Sequence, residues 1–423
     1  MKYFHYIFFL FFCVACITYT DELSNIHNLY YAENYSEALK ELENSSLKSS
    51  NRNRLLYYLE KARILEKSGQ LKKSRTLLMQ ASKVVDELYT VSISKTAATF
   101  IYNESASEYE GEIFEKVAIH TLLALSFIQE KDYKSARVEA RQINFKLKKI
   151  SNELGDKNNS YRQDAFALYL SGIIYEVLGD YDDAIIDYRK ALNLYRDSKY
   201  KHFFHGNIDT QIAKALYKLA LLRNRKNIQE ELLESYSKIL PSIEQNKPYG
   251  EIIAFHEVGR ISLKRAHDFF IPIDDQVVRL SFPYIDLRKN KYFSRTGLGV
   301  VNSDKNSFFY SSNVADMSSI AHYTLEERRM RLILKGIARI LLKTQLTEKI
   351  GEAAGPLGQV LANVYSVVTE TADTRSWTLL PDSFYTTRIQ VEPGTYDIAL
   401  ESGGQIQKME KITVEKNKIY LIR

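Results

Sequence analysis

The chain has 423 residues, 45% of them hydrophobic, and 58 Lys plus Arg stand against 52 Asp plus Glu for a net charge of +6. These are values of an ordinary folded protein, so a disordered tail and a multi-span membrane protein are both excluded. A charge so mild and so evenly spread excludes a dedicated nucleic-acid binder, and the length implies two or three domains. Tyr is abundant at 30 and Pro scarce at 7, so apolar surfaces are partly tyrosine-built and long helices meet few breaks. The two cysteines, Cys13 and Cys16, both fall at the extreme N-terminus. Neither disulfides nor a Cys-based metal site can therefore hold the body together.

Met1-Lys2 precedes an apolar run, Tyr6 to Ile17, which Asp21-Glu22 follows. The run is about half of the roughly 20 residues a spanning helix needs, so residues 1–15 read as a signal peptide. Its end, Phe12-Cys13-Val14-Ala15-Cys16, resembles a bacterial lipobox, with Cys13 where that pattern usually has Leu. The resemblance implies cleavage after Ala15 and a diacylglyceryl thioether on Cys16, which would anchor the chain to a membrane. Acylation would consume the last thiol of the mature chain. Ile17, in place of an Asp retention signal, implies a bacterial cell envelope address, on the outer membrane facing the periplasm.

Residues 16–245 carry a repeated pattern. In Asp164 to Ser198, Gly172 is followed three residues later by Tyr175, then by Gly179-Asp180-Tyr181, Ala184, Tyr188 and Ala191. Small residues at two fixed sites let two helices touch, and aromatics fill the space between neighbouring hairpins, as in a helical solenoid. This window resembles a tetratricopeptide repeat. Leu55 to Leu88 keeps the skeleton with Ala62, Leu65, Gly69, Ser74, Leu78 and Ala81, and Val117 to Ile150 keeps it with Ala124, Phe127, Tyr133, Ala136 and Ala140. Tyr19 to about Arg52 is a weaker copy with Ile26 at the small site, and a further helical pair is expected from Ile212 to Ile239. The second-helix small residues Ala38, Ser74, Ala136 and Ala184 lie 36, 62 and 48 residues apart. Insertions are thus expected at Tyr89 to Glu115 and Ser151 to Arg162.

Beyond Pro248-Tyr249-Gly250 the pattern changes to short apolar runs, Glu251 to Phe255, Gln276 to Phe282 and Ser307 to Ser311, which read as strands. Leu325 to about Ile350 reads as a helix with Leu325, Met330, Ile333, Leu334, Ile337 and Leu341 on one face. Gly351 to Gly358 breaks it, and a helix resumes from Gln359 to Glu370. Residues 387–423 alternate like a small antiparallel sheet. The expected fold is mainly α, a tetratricopeptide-like helical repeat solenoid, followed by a smaller α+β domain over 250–423 with an inserted helical hairpin at 325–370.

Three segments carry a wider resemblance: Tyr109 to Glu115, Ala136 to Arg141, and Ala372-Asp373-Thr374-Arg375-Ser376-Trp377 with Leu380-Pro381. With the lipobox and the final sheet they resemble a family of bacterial envelope lipoproteins with tetratricopeptide-like repeats. That family implies architecture and address but no reaction.

No concentrated catalytic or metal motif stands out. His202 and His205 lack a third ligand, and His256-Glu257 lacks the second His of a zinc protease helix. No phosphate-cradling loop or GxSxG occurs, so no cofactor and no enzyme activity are expected. Asp373, Arg375 and Trp377 offer a carboxylate, a planar fork and a stacking face, which suits either a structural plug or a ligand contact. Gly351, Gly355 and Gly358 suit close helix packing. Arg328, Arg331, Lys335, Arg339 and Lys343 form a basic stripe, suited to a solvated face, an acidic partner or anionic lipid. The expected job is protein binding, with Tyr58, His120 and Leu168 lining a first-helix groove that holds an envelope protein during assembly or regulation of the cell envelope. The competing reading is a glycan or small-ligand site, binding or hydrolytic, in the C-terminal domain.

Overall fold

A computed structural model of the chain describes residues 19–94, 107–154, 161, 163–240, 249–273, 276–287, 296–301, 306–339, 371–402, 405–408 and 411–423. After a short turn at Tyr19–Glu22, the helices pair into five hairpins: α1 (Ser24–Tyr31) with α2 (Tyr35–Asn44), α3 (Arg54–Lys67) with α4 (Leu71–Ser94), α5 (Ile113–Gln129) with α6 (Tyr133–Leu154), α7 (Ala165–Leu178) with α8 (Tyr181–Arg196), and α9 (Ile208–Leu222) with α10 (Lys226–Tyr236). The sequence windows fall on these pairs.

The α7/α8 hairpin shows why. Asp164 caps α7 by accepting the Ala167 N–H at 2.9 Å, and Gly179 ends it at φ 79°, a left-handed position that glycine takes without strain. A Cβ on Gly172 would lie 2.5 Å from Tyr188 Cδ1, so the glycine is what lets the tyrosine ring lie between the helices. Ala62, Ala81, Ala124, Ala136, Ala184 and Ala191 are all fully buried, with Tyr175 and Tyr188 packed among them.

Eleven strands are described in the second half. β1 (Gly250–Val258), β6 (Ser312–Asp316), β7 (Ser383–Val391) and β11 (Ile419–Ile422) form one sheet in the order β11-β1-β7-β6. β4 (Thr296–Val301), β5 (Asn306–Tyr310), β8 (Gly394–Ser402), β9 (Gln405–Lys408) and β10 (Ile412–Val414) form a second, and β2 (Lys264–Ile273) pairs with β3 (Gln276–Ile285) in a separate ribbon. Alternate residues of β1 serve two cores. Ile252 and Ala254 pack with Leu298, Ile398 and Leu400 between the two sheets, while Ile253 and Phe255 join the core of the helical repeats. The first sheet is thereby a middle layer, with the repeats on one face and the second sheet on the other.

Two expectations need correction. The final strand does not extend an antiparallel sheet: β11 runs parallel to β1, with Glu251 opposite Ile419, because the chain returns to the far edge of the first sheet. A helix, α11, occupies 317–339 and so begins eight residues before the expected Leu325, where Ser319 donates its N–H to Asp316 at 2.8 Å. The remainder of the expected hairpin, including Lys343 and the glycines at 351, 355 and 358, lies outside the described residues, as do Cys13 and Cys16. Among the described residues no helix is long and apolar enough to cross a membrane.

Candidate interaction surface

The first-helix side of the repeats is occupied by the chain's own C-terminal half. Residues 371–382 run along α3 and α5 as an extended segment whose backbone is read by two buried carboxylates. Glu60 accepts the N–H of Thr378 at 2.7 Å, the Thr378 hydroxyl at 2.7 Å and the N–H of Leu379 at 3.1 Å. Glu115 accepts the N–H of Trp377 at 2.7 Å, the Tyr109 hydroxyl at 2.6 Å and the N–H of Glu112 at 2.9 Å. His27 on α1 completes the clasp with Nε2 2.7 Å from the Thr378 hydroxyl, and Arg63 Nε donates to the Leu379 carbonyl at 3.2 Å. Burial pushes the Glu60 carboxyl up to about 7 and lowers His27 to about 4, so the imidazole is neutral near pH 7.

Two ion clusters extend the seam. Arg63 bridges Glu66 on its own helix and Glu257 on β1, which also meets Arg423 at 2.5 Å and Lys67 at 3.1 Å. Arg388 on β7 holds Glu176 of α7 at 2.9 Å, Glu251 of β1 at 2.6 Å and the Tyr188 hydroxyl at 3.1 Å. Burial works to raise Glu251, but Arg388 and Lys218 outweigh it and hold the carboxyl down to about 2. Glu112, which caps the start of α5, is likewise held at about 2 against burial by Arg328 and Lys264.

The sequence-derived residues fall as follows. His120 and Leu168 are buried at 4% and 2% exposure, and Tyr58 is half-buried against the helical core. A groove lined by these three is not what the chain builds. His120 lies between hairpins, with Nε2 3.1 Å from Ser82 Oγ on α4 and Nδ1 2.7 Å from Glu139 on α6. The trio has the residue types of a catalytic relay, but all three sit within helices whose backbone N–H groups are spent on the helical ladder, leaving no oxyanion donors. Its equivalent one hairpin on explains it. Asp187 stands 48 residues after Glu139, as Ala184 does after Ala136, and accepts from Asn144 of α6 at 2.7 Å and Ser171 of α7 at 2.6 Å. Asn144 stands in turn 62 residues after Ser82, the spacing of Ala136 from Ser74. Each bridge ties the second helix of one hairpin to the next hairpin, so both are joints of the stack.

Trp377 is fully buried, Arg375 is 6% exposed, and Asp373 is spent on Arg375 at 2.8 Å. Arg375 also donates to the carbonyl of Ser107 at 3.0 Å and to Asn53 at 3.2 Å. The three hold the extended segment on the repeats, and a ligand site built from them is not favoured. His205 pairs with Asp316 at 3.1 Å and His202 lies against Tyr323. Among the described residues no cluster of His, Cys, Asp or Glu could hold a metal. Sequence reasoning missed Glu60, Glu115, Glu176 and Arg388. A signal was present, since Glu176 is the lone charge in the otherwise apolar helix Ala165–Leu178.

The basic stripe of α11 is not a uniform solvated face, because Arg328 is tied to Glu112 and Arg339 is buried. The second helices carry exposed apolar residues, as does the end of α9 at Leu222, which is 61% exposed. Val138 and Phe145 of α6 are 52% and 60% exposed, and Ile186, at the position of Val138 in the next hairpin, is 51% exposed.

With this geometry in view, residues 165–198 match the tetratricopeptide repeat family. The helical half is a tetratricopeptide-like repeat array, followed by an α+β region. Among solved structures, the apo form of RapI is similar at 14% identity and a TM-score of 0.35, over 51% of this chain and 52% of that one. BtubC from P. vanneervenii is similar at 16% identity and a TM-score of 0.31, over 53% of this chain and 78% of that one, and MamA from AMB-1 at 15% and 0.29, over 53% and 92%. The chain thus spans about half the length of RapI. No curated protein matches in sequence.

Proposed function

We propose that the protein is a lipid-anchored scaffold of the bacterial envelope, tethered through Cys16, whose repeats bind another envelope protein by their outer, second-helix side. Repeats of this kind bind protein partners in general, and a non-enzymatic role fits them. The observation that carries the outer-side reading is the filled inner side: Glu60, Glu115 and Arg388 already hold the chain's own residues there, and a partner segment would have to displace a buried Trp377. Exposed Val138, Phe145 and Ile186 remain as anchors for an apolar partner surface. The envelope address rests on the lipobox resemblance alone.

Photo-crosslinking in the native cells tests this, with the reactive residue placed at position 145 or 186 in one set and at exposed His205 in another. The expected result is one reproducible envelope protein captured from 145 and 186 and absent from 205, with capture from 186 lost in Phe145→Asp. Capture from neither second-helix position would overturn the outer-side reading. Mass spectrometry of the N-terminal peptide decides the anchor separately, because an unmodified Cys16 removes it.

A further inference from the structure

The outer side of α6 carries charge as well as apolar side chains, and the two alternate. Lys134, Val138, Arg141, Phe145 and Lys148 follow one another at four, three, four and three residues, which sets them in one stripe along the helix. All five are exposed. Ser135, Gln142 and Lys149 flank the stripe on one side and Arg137, Asn144 and Ser151 on the other, so no acid of α6 borders it.

The acids nearest along the chain are engaged elsewhere. Asp132 accepts the N–H and hydroxyl of Ser135 at 3.1 and 2.6 Å, and Glu139 is buried against His120 at 2.7 Å. The flanking cations are already paired, Arg137 with Asp180 at 2.9 Å and Lys149 with Asp86 at 3.8 Å. Arg141 donates to the Tyr175 hydroxyl, on which Asp183 and Asp187 of α8 also act, so part of its charge is offset. Lys134 and Lys148, at the two ends of the stripe, form no ion pair among the described residues and leave it positive.

The order of residues selects the occupant. Arg141 stands between Val138 and Phe145, so a bilayer that took up the apolar pair would draw a guanidinium in with it at a cost. A helix laid alongside meets the stripe better, because its own side chains recur at the same spacing of three and four. Acids alternating with apolar residues on that helix would face the cations and the apolar pair in turn. Lys134 to Lys148 spans about 21 Å, roughly four turns of such a partner.

We propose that the partner of the outer side presents an acidic amphipathic helix, which lies along α6 over Lys134, Val138, Arg141, Phe145 and Lys148. This rests on the outer-side reading above and adds the partner's chemistry to it.

The test measures fluorescence anisotropy of two labelled synthetic helices, each held helical by an internal cross-link, on the full-length chain. One alternates Glu and Leu along a single stripe, and the other has Lys at the Glu positions. The Glu/Leu helix is expected to bind, less tightly as salt rises, and the Lys/Leu helix to bind about tenfold more weakly. Reversing both charges with Lys134→Glu and Lys148→Glu, at exposed sites, is expected to invert that preference at unchanged circular dichroism. Equal binding of the two helices, no binding of the Glu/Leu helix, or a preference that survives charge reversal overturns the proposal. Failure of the Glu/Leu helix beside flotation with phosphatidylglycerol vesicles that charge reversal abolishes would overturn it in favour of anionic lipid. In the native cells, undiminished capture from position 145 in the charge-reversed chain overturns the acidic helix and leaves the outer-side reading standing, whereas capture from neither 145 nor 186 removes that reading itself.

Discussion

Gly172 sets two effects against each other. Alanine is a better helix former than glycine by about 1 kcal/mol, so in an open helix Gly172→Ala would stabilise. Here the new Cβ would stand 2.5 and 2.7 Å from the Tyr188 ring, well inside carbon contact distance, and the ring cannot retreat because its hydroxyl donates to Glu176 at 2.6 Å. Overpacking wins, and the substitution is expected to cost about 1–3 kcal/mol in urea unfolding, where an increase in stability would show that the α7/α8 interface can slide. Glu60 poses the other residue-scale question. Its carboxyl, raised to about 7 by burial and by Glu115 against the hydrogen bonds of Thr378 and Leu379, takes up a proton more readily folded than unfolded. Its stabilising effect is therefore complete below the ordinary carboxylate value near 4.5 and is lost as pH rises through 7. Glu112 and Glu251, held at about 2, act in the opposite sense and lose their contribution only as pH falls well below 4. His27 and His256, lowered to about 4 by burial, add stability as pH rises towards 6.5 and so oppose Glu60. The test is therefore a difference, and the thermal midpoint of Glu60→Gln should climb relative to the parent's as pH rises from 5 to 8. A difference that stays constant over that range would assign the pH dependence elsewhere.

At the scale of elements, the seam between α7 and β7 depends on Arg388. Arg388→Met would leave Glu176 and Glu251 buried, with only half-exposed Lys218 beside them, and an uncompensated buried charge costs roughly 3–5 kcal/mol. Adding Glu176→Leu to Arg388→Met should recover part of that loss. A double variant whose cost equals the sum of the two singles would mean that the groups do not act as a unit. This seam also marks the limit of what the sequence discloses. The hairpins were legible because small residues such as Gly172, Ala136 and Ala184 hold fixed places in a repeated pattern and contact residues nearby in the chain. The strands were partly legible: Gln276 to Phe282 alternates clearly, but Lys264–Ile273 and Ser312–Asp316 passed unmarked, since their apolar residues do not alternate cleanly. Partners were not legible at all. Glu60 meets residues more than three hundred positions away, and nothing in RLLYYLEKARIL distinguishes a carboxylate that receives backbone N–H groups from one that faces water. Asp373, Arg375 and Trp377 drew notice for their chemistry, and that chemistry serves the contact between the halves.

The molecule as a whole has one principal core, continuous from Leu23 in the first hairpin to Leu421 in the last strand. A free-standing repeat array can unfold hairpin by hairpin, because each unit contacts only its neighbours. Here residues 371–391 and β1 touch α3, α5 and α7 together, so opening any one hairpin also strips Glu60, Glu115 or Glu176 of its partners. Long-range ties of this kind convert a sum of local stabilities into one cooperative unit. Calorimetry of the intact protein should accordingly show a single transition, while residues 19–240 expressed alone should melt at lower temperature and bind a hydrophobic dye through exposed Phe166, which in the whole chain packs 5.0 Å from Phe384. Two transitions in the intact chain, with the helical one unchanged in the isolated array, would mean that the C-terminal half merely rests on the repeats and that their inner side is open to a partner after all.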